Sequence, residues 1–247
     1  MKSTPINIIL DGYDYHEIGI IMYIEKLNIV NKIASHNKGC IISLLLVLKN
    51  INEYKKYLDC NDRYKNLRNL IYELSDETFE KIKSNCLYIH YFDTHKNDYK
   101  IKFNYKSRQE LYDTIMKSIY ISSYTENSSI YDLININCIN PYCFENDKYK
   151  TLYVRENLMD KIYSKLSNET PLIKILKGET NIKRFLKNNK INSCRYIEKN
   201  NTFNIFIYRI IQIILTIMLN LYTSIKYTFN INIEEIIERI FSLCLTL

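Results

Sequence analysis

The chain has 247 residues, 47% of them apolar, which is enough to bury a sizeable core and excludes a wholly disordered polypeptide. Thirty-four basic residues against 27 acidic ones give a net charge of +7, spread thinly, with no basic block interleaved with aromatics. A nucleic-acid partner is therefore not expected, whereas mild attraction to an anionic membrane surface is compatible with the balance.

Heavy use of Ile, Asn, Lys and Tyr, with no Trp, is the skew of AT-rich coding sequence, so abundant Asn and Lys carry no functional message. The seven cysteines include no CxxC pair, and the nearest two, Cys138 and Cys143, have no second pair at zinc spacing. Free thiols in a reducing compartment are the expectation, with neither metal nor cofactor. The N-terminal apolar run is too short for a signal peptide, so an intracellular protein is expected.

In chain order, INIIL (6–10) is a short β-branched run closed by Asp11-Gly12 and predicts a buried strand. Ile18, Ile21, Met22 and Ile24 recur at helical spacing within 17–27. Residues 30–34 predict a second strand, and the almost wholly apolar 40–48 a helix buried behind a sheet. Strand, helix, strand, helix at these lengths predicts a βαβ start and a parallel sheet.

One or two surface helices are expected over 51–84, a third strand at 86–92 with a hairpin partner at 99–105, and a helix over 108–120. Residues 122–147 contain Pro141 and no clean period, and predict a long irregular connection of the kind that covers a site. TLYV (151–154) predicts a fourth strand, followed by helices near 156–167 and 171–190. The apolar stretch 205–222 approaches the ~20 residues a bilayer span needs but is interrupted by Arg209, Gln212 and Asn220. It reads as a buried or membrane-surface helix in preference to a span.

Residues 10–41 carry a specific resemblance. LDGYDYHEIGIIMYIEKL followed by KIASHNKGCI resembles the opening of a patatin-like phospholipase, in which a strand runs into LDGGGxRG and a second strand enters a GTSxGG nucleophile elbow. Leu10, Asp11 and Gly12 match, whereas Tyr13 and Asp14 replace glycines, His16 the arginine and Glu17 the last glycine. At the elbow Ser35 stands for the first glycine, His36 follows, Asn37 takes the serine position and Gly39 a later glycine. LYVRENL (152–158) takes the place of YVDGGL, with Arg155 at the aspartate of the family's Ser–Asp dyad. The resemblance covers roughly residues 6–165 and rests on order and spacing more than on identical functional residues.

The resemblance implies a three-layer αβα fold with a central, mostly parallel sheet. The patatin-like domain is assigned to 1–200, and a helical extension, packed on the domain or on a membrane, to 201–247. It also implies an oxyanion loop at Gly12, Tyr13 and Asp14 and a lipid acyl hydrolase that this chain has lost. An amide at Asn37 is no alkoxide nucleophile, and the Arg155 guanidinium stays protonated and is no base. Bulk and negative charge at Tyr13, Asp14 and Glu17 oppose an oxyanion. Loss of one such group alone costs on the order of 10⁴ to 10⁶ in rate.

The expected function is thus a catalytically inactive pseudo-phospholipase that binds phospholipid, a membrane surface or a protein partner. Two alternatives stand beside it. One is an active acyl hydrolase with its nucleophile moved to Ser35 or Ser43, assisted by Asp11 or Asp14. The other is a membrane-anchored structural protein spanning at 205–222. His16 and His36 near one sheet end also raise a metal site as a minor alternative.

Overall fold

The computed structural model describes residues 4–10, 14–84, 86–93, 98–120, 139–155, 169–188 and 194–197, together with positions 206, 207, 210, 213, 214 and 217. Six strands form one mixed sheet: β1 (Ile6–Leu10), β2 (Val30–His36), β3 (Leu87–Asp93), β4 (Asp98–Lys102), β5 (Lys150–Val154) and β6 (Cys194–Ile197). Their order is β4-β3-β2-β1-β5-β6. The four central strands run parallel, and β4 and β6 close the two edges antiparallel to β3 and β5. The chain is an α/β protein, as the alternation of apolar runs predicts.

The helices are α1 (Tyr15–Leu27), α2 (Gly39–Val47), α3 (Tyr54–Leu58), α4 (Arg63–Tyr72), α5 (Asp76–Lys83), α6 (Arg108–Tyr120) and α7 (Pro171–Asn188). All contribute to one large core with alternate strand residues: Ile8 and Leu10 of β1, Ile33 of β2, Leu87 and Ile89 of β3, Leu152 and Val154 of β5. The described helices therefore cover one face of the sheet. Ile9, Ala34 and Tyr153, the intervening positions, pack with Ile139 and Phe144 on the other face. Period-two alternation explains the split, since successive side chains point to opposite faces.

Residues 139–149 are turns and bends that cross that second face, and two polar contacts help to hold them there. The Asn140 N–H donates to His90 Nδ1 at 3.1 Å, and Lys32 Nζ meets Asp147 Oδ2 at 2.6 Å. This is the described end of the predicted irregular connection. Residues 121–138 and the predicted helix at 156–167 lie outside the described residues.

Several boundaries differ from expectation for local reasons. Helix α1 starts at Tyr15 because Asp14 caps it, with Glu17 reciprocating in a capping box. It stops at Asn28, whose φ of 51° is the left-handed conformation that asparagine tolerates at a helix end. Strand β2 runs on to His36 rather than ending at Ala34. The expected one or two helices over 51–84 are a 3-10 turn (Ile51–Glu53) followed by α3, α4 and α5. Strand β6 was not expected; four residues at an edge carry little periodicity.

Helix α7 lies against α1 closely enough for backbone to touch backbone. A Cβ placed on Gly19 would sit 2.0 Å from the Ile175 carbonyl oxygen, and one on Gly178 would sit 1.9 Å from that of His16. Only glycine fits at this crossing. Beside it, Lys174 pairs with Asp14 at 3.2 Å and Lys26 with Glu179 at 3.5 Å.

Candidate functional site

Strand register fixes where the predicted site residues fall. Leu10 of β1 pairs with Ser35 of β2 on one side and with Val154 of β5 on the other. Asn37, two residues past Ser35, and Arg155, one past Val154, therefore emerge at the same edge of the sheet, flanking β1. They are not on neighbouring strands. Two inter-strand spacings, roughly 10 Å of backbone, separate the strands that carry them.

The turn at Asn37 has the form of an elbow. Strand β2 ends at His36, Asn37 adopts φ 53°, and α2 begins at Gly39. Asparagine holds this left-handed geometry at lower cost than most residues. Its side chain folds back, with Oδ1 accepting from the Lys38 N–H at 2.7 Å, and its carbonyl accepts from the Cys40 N–H at 3.0 Å. The Asn37 N–H points away from solvent and donates to Ser118 Oγ of α6 at 2.8 Å. Ser118 in turn donates to the His90 carbonyl at 2.6 Å, and the Cys40 thiol lies 3.3 Å from the same hydroxyl.

Ser118 thus joins the elbow, the adjacent strand β3 and α2 through one buried hydroxyl. The sequence reading missed it. The available signal was a serine on the apolar face of α6, in line with Leu111, Ile115 and Ile119. Burial pushes the Cys40 thiol up to about 12, against the smaller opposing effects of Ser118 and Ser35. That thiol is no nucleophile at neutral pH.

The relocated-nucleophile candidates are unfavourably placed. Ser35 points to the helical face and is fully buried near Cys40. Ser43 is fully buried within α2, and its Oγ has no hydrogen-bond partner among the described residues. Neither hydroxyl reaches the surface where a substrate would sit.

The acidic residues of the first loop also play another part. Asp14 Oδ1 accepts from the Tyr15 N–H at 2.5 Å and Oδ2 meets Lys174, while Glu17 Oε2 accepts from the Asp14 N–H at 2.5 Å. Both carboxylates are engaged at the start of α1, where negative charge also suits the helix dipole. Their charge is directed to the helix and to Lys174 rather than into the elbow. Asp11, Gly12 and Tyr13 lie outside the described residues.

His16 and His36 do not converge. His16 lies on α1, with Nε2 3.0 Å from Asn181 Nδ2 of α7, whereas His36 alternates with Ala34 toward the opposite face of the sheet. His36 is instead the register partner of His90. No group of three or more metal-ligating side chains exists among the described residues.

Near the elbow, Lys38 is drawn below its ordinary value by burial and by the neighbouring Arg63. Arg155 is exposed. A cleft of about 70 Å³, room for a few waters, lies at the opposite edge, between Glu25, Asn28, Asn31, Lys49, Lys81 and Cys86.

Among the described residues no helix is long and apolar enough to cross a membrane. Positions 206, 207, 210, 213, 214 and 217 are helical, and five of them, Phe206, Ile207, Ile213, Ile214 and Ile217, are large exposed apolar side chains. The described cysteines, Cys40, Cys60, Cys86, Cys143 and Cys194, are free. The chain matches no protein-family model, no curated protein and no solved structure.

Proposed function

We propose that the protein is a non-catalytic, patatin-like domain that retains a hydrolase-type elbow as architecture and binds a phospholipid surface. The observation that carries the reading is the elbow itself. A left-handed Asn37 sits between a central parallel strand and a buried helix, its backbone N–H committed to Ser118, with Arg155 at the same sheet edge. An ester hydrolase of this plan needs a nucleophile at the first position and a base near the second. An amide and a guanidinium supply neither. The three-layer αβα arrangement of the family is part of this proposal, supported by the sheet and by the helical layer on one of its faces.

Lipid is the proposed ligand because the resemblance is to a lipid-cleaving family and because Phe206, Ile207, Ile213, Ile214 and Ile217 recur on one helical side and are exposed. Two measurements on the full chain test the proposal together. Phospholipid vesicles should bind the protein without release of fatty acid, and a fluorophosphonate probe should leave it unlabelled. Turnover, or covalent labelling at Ser35 or Ser43, overturns the catalytic half. Absence of vesicle binding overturns the ligand half.

A further inference from the structure

Helix α7 has an unusual outer face. Its inner side meets α1 at Gly178, and Ile182 and Phe185 are buried in the core. Outward, its first two turns expose Leu172 (65%), Ile173 (44%) and Leu176 (53%). Its remaining turns expose Lys177, Lys183, Arg184 and Lys187. The one acidic residue in the helix, Glu179, is half-buried and lies between Lys26 and Lys183. No acidic side chain is exposed along α7. Lys177 is paired with Glu169, whereas Arg184 and Lys187 meet no carboxylate among the described residues.

Position adds to composition. The Lys174–Asp14 pair ties the start of α7 to the start of α1, four residues beyond the end of β1. The aliphatic triplet therefore stands at the sheet edge that carries the Asn37 elbow and Arg155. Three exposed aliphatic side chains thus share one side of α7 with Arg184 and Lys187, two cations that meet no carboxylate among the described residues. An amphipathic helix lying in a lipid interface uses both: aliphatic groups enter the acyl boundary, and Lys and Arg meet anionic headgroups.

We infer that the outer face of α7 is an anionic-membrane docking surface, with Leu172, Ile173 and Leu176 as the inserted wedge and Arg184 and Lys187 as its headgroup contacts. The inference rests on the lipid-binding proposal and assigns the face that does the binding. An acidic protein or nucleic acid would use the cations and leave the aliphatic wedge idle, which is why lipid is the occupant favoured.

The test is co-sedimentation of the full chain with vesicles of phosphatidylcholine alone and of phosphatidylcholine with 30% phosphatidylserine, that proportion being a choice of about one anionic lipid in three. Wild type should partition to the anionic vesicles and lose binding at high salt. Leu172→Ser with Leu176→Ser should weaken partitioning by about tenfold or more. Arg184→Glu with Lys187→Glu should weaken it by at least about tenfold, at roughly fivefold per cation removed. All four positions are exposed, so circular dichroism and melting should match wild type.

If wild type binds and both variants bind equally well, the α7 assignment is overturned while lipid binding stands. If wild type binds neither vesicle, both fall. If heparin or poly-glutamate binds as tightly as the anionic vesicles and the serine variants bind like wild type, the lipid assignment of this face is overturned.

Discussion

The Asn37 backbone N–H donates to Ser118 Oγ across 2.8 Å, joining the elbow after β2 to the helix α6 that follows the β3–β4 hairpin. That one hydroxyl also serves the His90 carbonyl. Ser118→Ala would strand a donor and an acceptor in a site 3% exposed. A loss of about 2–3 kcal/mol in urea unfolding is expected, against at most about 1 kcal/mol for a conservative surface change. At Asn37 itself, glycine should be tolerated to within about 1 kcal/mol, whereas valine, β-branched at positive φ, should cost about 1–2 kcal/mol. Asn37→Ser should not create an esterase, because Arg155 offers no base; measurable turnover in that variant would contradict the reading of the edge.

The α1–α7 crossing predicts a strong effect from a single methyl group. Gly19→Ala and Gly178→Ala each place a carbon near 2 Å from a carbonyl oxygen of the partner helix, so the helices must separate. Each variant should lose about 3 kcal/mol or more by thermal or chemical melting. The double variant should lose less than the sum, because a single separation relieves both contacts. Additive losses would mean that the two glycines act independently.

Acid stability should depend on Asp147. Burial alone would raise its carboxyl, but the hydrogen bond and charge of Lys32 outweigh it and hold it below the ordinary carboxylate value. A depressed folded-state value contributes stability that is present above about pH 4 and is lost as pH falls through the lower folded value. Lys32 is raised, first by its hydrogen bond to Asp147, so its contribution is full below about pH 10 and fades as pH rises through its raised value. Asp147→Asn should therefore be less stable than wild type at pH 6, with the gap closing as pH is lowered toward 2. A gap that stays constant across that range would show that Lys32 does not discriminate the ionised form.

Thiol reactivity should be graded. Burial raises Cys40 and Cys143 to about 12 and Cys86 to about 11. In the native protein at pH 8, peptide mapping after iodoacetamide treatment should find these three slow, and all should label readily in urea. Fast native labelling of Cys40 would place the elbow in a more open state than its buried contacts with Ser118 describe.

Much of this architecture is visible in the chain because its causes are local. The β-branched run at 6–10, the 3.6-residue spacing within α1 and the apolar block of α2 each carry their own period. Asn37 can be picked out for the same reason, since a turn between two apolar runs constrains one residue. Ser118, Lys174 and Asn181 could not be picked out in that way. Each acquires its role from a partner 81, 160 or 165 residues distant, and nothing in the sequence around them records the meeting. The capping roles of Asp14 and Glu17 are hidden in the sequence for a related reason. That they cap α1 shows only once the helix is in place.

The glycine-lined crossing also has an orientational consequence. Two helices whose main chains are in direct contact cannot rotate about their long axes without collision, so the compass bearing of every α7 side chain is locked to that of the sheet. Whatever surface meets Leu172 and Leu176 consequently meets the entire domain in one pose. Such a rigid handle would convert a patch of three side chains into a fixed tilt for all six strands.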